Sequence, residues 1–234
     1  MKQSICKISL GDRMKDYYEK PFNVKLPMRM PIIIRLDGRA FHTYTRKCNK
    51  PFDSILIDRM IGTAKYLCEN IQGAELAYVQ SDEISILLHN YKRLNSESWF
   101  DNKVQKIVSI SAGMASSYFS MAAGKMLQFD SRVFVLPEQE VCNYFIWRQQ
   151  DWERNSIQML AQSLYSQKEL HKKNNSQLQE LCFRKNKNWN DLSIQLKRGT
   201  CIIKNENLWK VDIDIPMFTQ DRNYIEKLLI TLDE

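Results

Sequence analysis

Close cysteine pairs, long apolar runs, low-complexity tracts and repeats are all missing from this chain, and each absence removes a class of protein. Seven glycines and six prolines in 234 residues leave no room for flexible linkers or collagen-like tracts, and no repeat period suggests a solenoid. The cysteines stand at 6, 48, 68, 142, 182 and 201 with no C-x-x-C pair among them, so a structural zinc site lacks the paired ligands it needs. Such dispersion predicts reduced thiols in a cytoplasmic setting. Aliphatic runs such as Ile32-Ile33-Ile34 are far short of the roughly 20 residues that cross a bilayer. The start, Met1 to Lys7, has no apolar stretch of the signal-peptide kind. A soluble cytoplasmic protein with no membrane partner is expected.

What is present is an ordinary globular balance, 44% apolar and 26% charged residues, with a net charge of +7 and a pI near 9.0. A basic surplus favours polyanionic partners, because neutralising phosphates releases condensed counterions.

Periodicity gives an order of elements. Residues 30–37 (MPIIIRLD) read as a buried strand opened by a proline, and 53–70 carry apolar residues at helical spacing behind the N-cap candidates Asp53 and Ser54. Residues 75–79 and 84–89 read as a hairpin, 100–123 as a buried helix, and 131–136 as a fourth strand stopped by Pro137. The order β-α-β-β-α-β predicts an α+β protein with a ferredoxin-like, polymerase-palm core. Beyond it, 138–184 read as mostly helical, 199–204 and 208–214 as short strands, and 221–232 as a terminal helix. The expected division is a palm over 1–137, including an N-terminal helix, with 138–234 packed on it as a helical and short-strand extension of one catalytic unit.

That topology gives two acidic positions a meaning. Asp37 ends the first strand, and Asp82-Glu83 occupy the hairpin turn. A right-handed crossover makes strands one and two parallel. If strand three pairs antiparallel with strand one, Asp37 and Asp82 meet at one sheet edge. Magnesium prefers such oxygen ligands together with substrate phosphates, and two ions there suit phosphoryl chemistry. Gly38 leaves room for phosphates, and Arg39, His42, Arg46, Lys47 and Lys50 make the next segment basic. The plainer alternatives are an Asp-Gly turn and a solvated basic loop.

The residues themselves are more specific. Ile34-Arg35-Leu36-Asp37-Gly38-Arg39-Ala40-Phe41-His42 with Lys50-Pro51-Phe52-Asp53, then Tyr78-Val79-Gln80-Ser81-Asp82-Glu83, resemble two motifs of the tRNA-histidine guanylyltransferase superfamily. Gly11-Asp12-Arg13-Met14-Lys15, Phe129-Asp130-Ser131-Arg132-Val133, Trp147-Arg148-Gln149 and, more weakly, Lys197-Arg198-Gly199-Thr200 follow in the same order. The resemblance implies a palm that extends nucleic acid from 3′ to 5′. ATP activates a 5′-monophosphate by adenylylation, and the 3′-hydroxyl of an incoming GTP or other nucleoside triphosphate then displaces AMP.

By the same resemblance, Asp37, the Gly38 carbonyl and Asp82 would bind two Mg2+ ions, with Glu83 as a supporting catalytic acid. Asp37, Gly38, Arg39, Ala40, Phe41, His42, Lys50, Ser81 and Asp82 would hold the nucleotide. Arg148, Arg154, Asn155, Lys197 and Arg198 would contact tRNA. A homo-oligomer, up to a tetramer, is the associated expectation. For Arg148 the alternative is an exposed helix face, and Trp147 and Trp152 suit a core or subunit contact better than a base-stacking platform.

One stretch departs from the histidine-specific pattern. Where that branch has a His-Ile-Asn-Asn-Leu-Tyr-Asn segment, this chain reads Glu153-Arg154-Asn155-Ser156-Ile157-Gln158-Met159. It looks like the bacterial and archaeal "like" branch, which repairs 5′-truncated tRNA against the opposite strand. Addition of the extra 5′ guanylate to histidine tRNA is the alternative. A nucleotide cyclase would need a Gly-Gly-Asp/Glu-Glu-Phe turn that is absent here, and an RNA-binding relic would not need to retain Asp37, Asp82 and Glu83.

Overall fold

A computed structural model describes residues 8–92, 96–205 and 208–230. The reading at Met1–Lys7 and the last residues of the expected terminal helix, 231–232, therefore lie outside the described residues. The core is one six-stranded sheet in the order β4-β1-β3-β2-β5-β6. Its strands are β1 (Ile32–Arg39), β2 (Ala74–Gln80), β3 (Glu83–Leu88), β4 (Gln128–Val135), β5 (Thr200–Asn205) and β6 (Leu208–Asp212). All neighbouring pairs are antiparallel, so β1 and β2, which both flank β3, run parallel to each other. This is the expected α+β palm, widened by two strands at the β2 edge.

The run Ile32-Ile33-Ile34 is apolar because both faces of β1 are buried. Ile32, Ile34 and Leu36 pack with Met60, Ala64 and Leu67 of α3 (Ser54–Asn70) and with Ile107, Ala115 and Phe119 of α4 (Val104–Ala123). Ile33 turns the other way, onto Val141, Cys142 and Phe145 of α5 (Glu138–Gln162) and onto Ile215, Phe218 and Ile225. The side-chain period of two therefore divides β1 between two cores. Asp53 caps α3 as expected, accepting from Leu56 N at 2.8 Å, and all five described cysteines are free thiols.

Several boundaries move. The helix expected from residue 100 begins at Val104, because Phe100, Asp101 and Asn102 have φ of 51°, 53° and 56°, a hand no L-residue helix continues. β4 opens at Gln128 rather than Ser131, and β1 runs on to Arg39, because Gly38 pairs with Phe129 and Arg39 with Gln128. The expected long helix at 221–232 is a single helical turn, Asn223–Glu226, followed by a tight turn to Leu229. Residues 138–184 form α5, α6 (Gln167–Leu170) and α7 (Asn175–Arg184). α7 packs Leu178 and Cys182 on Ile157, Leu160 and Ala161 of α5 as a small separate core, with Leu170 of α6 partly buried against it.

The N-terminal helix α1 (Leu10–Met14) and the turns after it to Phe22 bury no residue. Among the described residues, no helix is long and apolar enough to cross a membrane.

Candidate active site

β1 and β3 are in register with Asp37 opposite Glu83, and β4 places Asp130 on the other side of Asp37. The turn joining β2 to β3 has only two residues, Ser81 and Asp82, between the paired Gln80 and Glu83. Ser81 takes φ 48°, a hairpin-turn conformation that glycine usually fills. Gly38 N donates to Asp82 O at 3.1 Å, which ties the end of β1 to the tip of the hairpin. Asp37 and Asp82 thus converge as the topology predicts. A Cβ at Gly38 would lie 2.4 Å from the Phe41 ring, so glycine is required there by the next turn of chain.

Charge at this edge is not balanced. Burial pushes the Asp37 carboxyl up, and Asp82, Glu83 and Asp130 add to that, with only Arg35 opposing. Burial also raises Asp82, against the hydrogen bond from Ser81 Oγ at 3.0 Å. Two half-buried carboxylates that disfavour their own ionisation are a fit for a cation that keeps phosphates and water in its shell. No group of three or more His, Cys, Asp or Glu side chains among the described residues forms a ready-made metal centre.

Glu83, expected as a supporting acid beside the metal ligands, stands in different surroundings from Asp37 and Asp82. It is 6% exposed and accepts from Arg148 Nε at 2.7 Å and Nη2 at 2.8 Å, and from Arg35 Nε at 2.9 Å. Gln80 Nε2 donates to it as well, at 3.2 Å. A carboxylate so occupied has no free oxygen to offer a metal. Burial alone would depress Arg35, but the Glu83 charge outweighs it and holds the guanidinium above its ordinary range.

Arg148, expected to meet RNA, is 3% exposed, also binds Asp151 at 2.8 Å, and lies 4.4 Å over the Trp147 ring. Its helix face points inward because the sheet presents a carboxylate there. The other expected RNA contacts are engaged too. Arg154 pairs with Asp151, as does Asn155 at 3.4 Å. Lys197 donates to Asn190 O at 2.6 Å and Arg198 to Ile215 O at 3.2 Å.

Of the residues expected around the nucleotide, Arg39, Ala40, His42, Lys50 and Ser81 are exposed, and Asp37, Gly38 and Asp82 half-buried. Ala40 has φ 55°, which turns the chain sharply into α2 (Phe41–Thr45). Phe41 can contribute only backbone, because its ring is 1% exposed and packs against Tyr44, Phe119 and Phe129. Lys50 Nζ donates to Thr45 O at 3.1 Å, one exposed bond that a phosphate can replace.

Sequence reasoning missed an apolar cavity of about 50 Å3 beside Ser81, walled by Phe52, Leu56, Met60, Val79, Trp152 and Met159. Two of the residues lining it carry buried polar atoms without a partner, Gln80 Oε1 and Trp152 Nε1. Of its lining residues, Ser81 had been expected at the nucleotide and Trp152 as a core or subunit contact, and Trp152 is 4% exposed. The wall comes from α3, β2 and α5, so no local pattern reveals it. A second, polar cleft of about 330 Å3 brings Glu153 together with Lys197, Arg198 and Trp189.

Comparison with known proteins agrees with the motifs. The family model described as tRNAHis guanylyltransferase (Thg1) matches residues 11–137. A solved bacterial tRNA(His) guanylyltransferase (Thg1)-like protein in complex with ATP superposes with a TM-score of 0.91 at 50% identity, covering 94% of this chain and 99% of that one. The complex of such a protein with GTP gives 0.85 and 48%, covering 95% and 99%. The Homo sapiens probable tRNA(His) guanylyltransferase is 33% identical over 138 residues, 54% of this chain and 45% of its own length. The Saccharomyces cerevisiae tRNA(His) guanylyltransferase, at 21% identity and a TM-score of 0.70, shares the fold.

Proposed function

Since the chain belongs to the tRNAHis guanylyltransferase family, whose members are tRNA nucleotidyltransferases, we propose that it adds nucleotides 3′ to 5′ onto truncated tRNA 5′ ends, reading the opposite strand as template. The observation that carries the chemistry is the Asp37–Asp82 pair, left with excess negative charge beside the exposed basic segment Arg39–Lys50. Relatives solved with ATP and with GTP support nucleoside triphosphates as the substrates. Two Mg2+ ions held by Asp37, Asp82 and the Gly38 carbonyl would supply charge neutralisation on the transferring phosphates.

The chain's own residues do the rest. The backbone of residues 38–42, with Arg39, His42 and Lys50, would hold the triphosphate, and Ser81 would orient Asp82 through its 3.0 Å bond. The cavity beside Ser81 is the candidate for the nucleobase, with Met159 as its adaptable wall. Glu83 acts as a positioning residue, fixing the β3 end on which Asp82 stands through Arg35 and Arg148. In the first step the RNA 5′-phosphate attacks the ATP α-phosphate and pyrophosphate leaves. In the second the 3′-hydroxyl of the incoming nucleotide attacks the activated phosphate and AMP leaves.

Repair is favoured over histidine-specific addition by the identity to the bacterial like-protein and by Glu153 in the polar cleft with Lys197 and Arg198. A carboxylate there weakens the pull on a phosphate that an imidazole would assist. The test uses 5′-truncated, monophosphorylated tRNAs with ATP, Mg2+ and all four nucleoside triphosphates. One pair differs only in anticodon and another only in the template base opposite the gap. Addition should follow the template base and ignore the anticodon, since pairing supplies discrimination while protein holds phosphates and A-form shape. Guanylate added whatever the opposite base, and only with a histidine anticodon, would refute repair.

We also infer self-association. Leu10, Met14, Tyr17, Tyr18 and Phe22, close together in sequence on the N-terminal arm, are 40–67% exposed, and exposed apolar patches mark protein contacts. Sedimentation showing only monomer at micromolar concentration rejects this.

A further inference from the structure

The cations expected to meet RNA are bound to protein groups, and the free ones lie elsewhere. Residues 163–193, the lobe carried by the end of α5, hold Lys168, Lys172, Lys173, Arg184, Lys185 and Lys187 against Glu169, Glu180 and Asp191. All three acids are engaged locally. Glu169 caps α6 by accepting from Ser166 N and Oγ at 2.9 and 2.6 Å. Glu180 pairs with Arg184 at 3.3 Å, and Asp191 accepts from Asn188 at 3.2 Å. Lys185 lies 5.6 Å from the Tyr165 ring. Lys168, Lys172, Lys173 and Lys187 are exposed and have no side-chain hydrogen bond or ion pair among the described residues. Phe183, beside Arg184, is 64% exposed, an aromatic face of the kind nucleic-acid strands use.

We propose that this lobe is the surface that grips the phosphate backbone of the RNA substrate away from the reacting 5′ end. The proposal rests on the reading that RNA is the substrate. Its geometry comes from α5, which carries Arg148 at the carboxylate edge and ends at Gln162, about 21 Å further along at about 1.5 Å per residue. None of the four lysines lines the cavity beside Ser81, so they are not placed to serve the nucleobase. An RNA duplex, at least as dense in phosphate as DNA with its charge roughly every 1.7 Å of axis, presents about a dozen or more on the way. Point charges on flexible stems suit a backbone read for shape rather than sequence. The lobe's small core of Leu178, Cys182, Leu160 and Ala161 fixes it to α5, so RNA seated there is held at a set distance from the site.

The test is the quadruple variant Lys168→Gln, Lys172→Gln, Lys173→Gln, Lys187→Gln, with the matching Lys→Arg variant beside it. Binding of 5′-truncated tRNA is measured across a salt series, and KM for ATP is measured in parallel. The Gln variant should bind RNA about 10–100-fold more weakly near 0.1 M salt, and the slope of log affinity against log salt should fall by about 3. KM for ATP should stay unchanged, and the Arg variant should keep wild-type affinity and slope. Affinity and slope unchanged in the Gln variant would overturn the surface and leave the function standing. A wild-type chain that binds tRNA with the steep slope yet adds no nucleotide would overturn the function and leave the surface standing. If the Arg variant loses affinity as the Gln variant does, charge is not the cause and the proposal falls.

Discussion

Asp82 and Glu83 are neighbours in sequence, yet they stand in opposite electrostatic surroundings. Asp82, at the hairpin tip, is half-buried without a cation and is raised by burial and by Glu83. Glu83, the first residue of β3, is clasped by Arg35 and Arg148. The open edge keeps its charge unmatched and ready for a ligand, while the closed face against α5 neutralises its own. On the proposed function the first side carries the chemistry and the second the rigidity, a division that single substitutions can break.

The closed side should respond most in stability. Arg148→Met leaves Glu83 and Asp151 in a buried site with one guanidinium gone, and breaking such a pair costs about 3–5 kcal/mol. A urea midpoint equal to wild type would show that the clasp is not buried in solution. The open side should respond in turnover instead. Asp82→Ala should lower nucleotide addition by about 10²–10³-fold while the melting temperature holds or rises. Near wild-type addition by that variant would reject the metal assignment.

Smaller effects sharpen the same contrast. Lys50→Ala removes one exposed charge-assisted contact, about 1.5–3 kcal/mol in nucleoside triphosphate use, read as kcat/KM for ATP with RNA saturating. An unchanged value returns Lys50 to the solvated loop. The smallest effect is on pH and stability. Asp37 and Asp82 are raised in the folded state, so folding favours their protonated forms. Their destabilising contribution is full above the raised values and fades as pH falls through them to the ordinary aspartate range. Asp37→Asn should therefore raise the metal-free melting temperature at neutral pH by a few degrees, at about 2–4 °C per kcal/mol. The gain should vanish near pH 3, and Mg2+ should stabilise wild type but not the variant. A gain that persists at pH 3 would mean the carboxylate charge was not responsible.

Much of this was legible in the residues. The β-α-β-β-α-β order followed from periodicities of 2 and 3.6, and the Asp37–Asp82 meeting followed from strand pairing alone. The motifs around Asp37 and Ser81 identified the family. The misread side chains share one cause, since each has its partner distant in sequence. Arg148 looked like an exposed cation because its nearest acids in sequence, Asp151 and Glu153, gave no reason to bury it, while its main partner is 65 residues away. Phe41 sits inside a nucleotide motif but packs into the α4 core.

Composition, spacing and motif by themselves determined the fold class, the family and the pair of carboxylates at one sheet edge, because those depend on period, chain order and residue type. Only the tertiary structure decided which charges remain free. A side chain's availability depends on what the rest of the chain packs against it. For Glu83, Arg148 and the lysines of the α6–α7 lobe, that meant a sheet face, a helix face and open solvent.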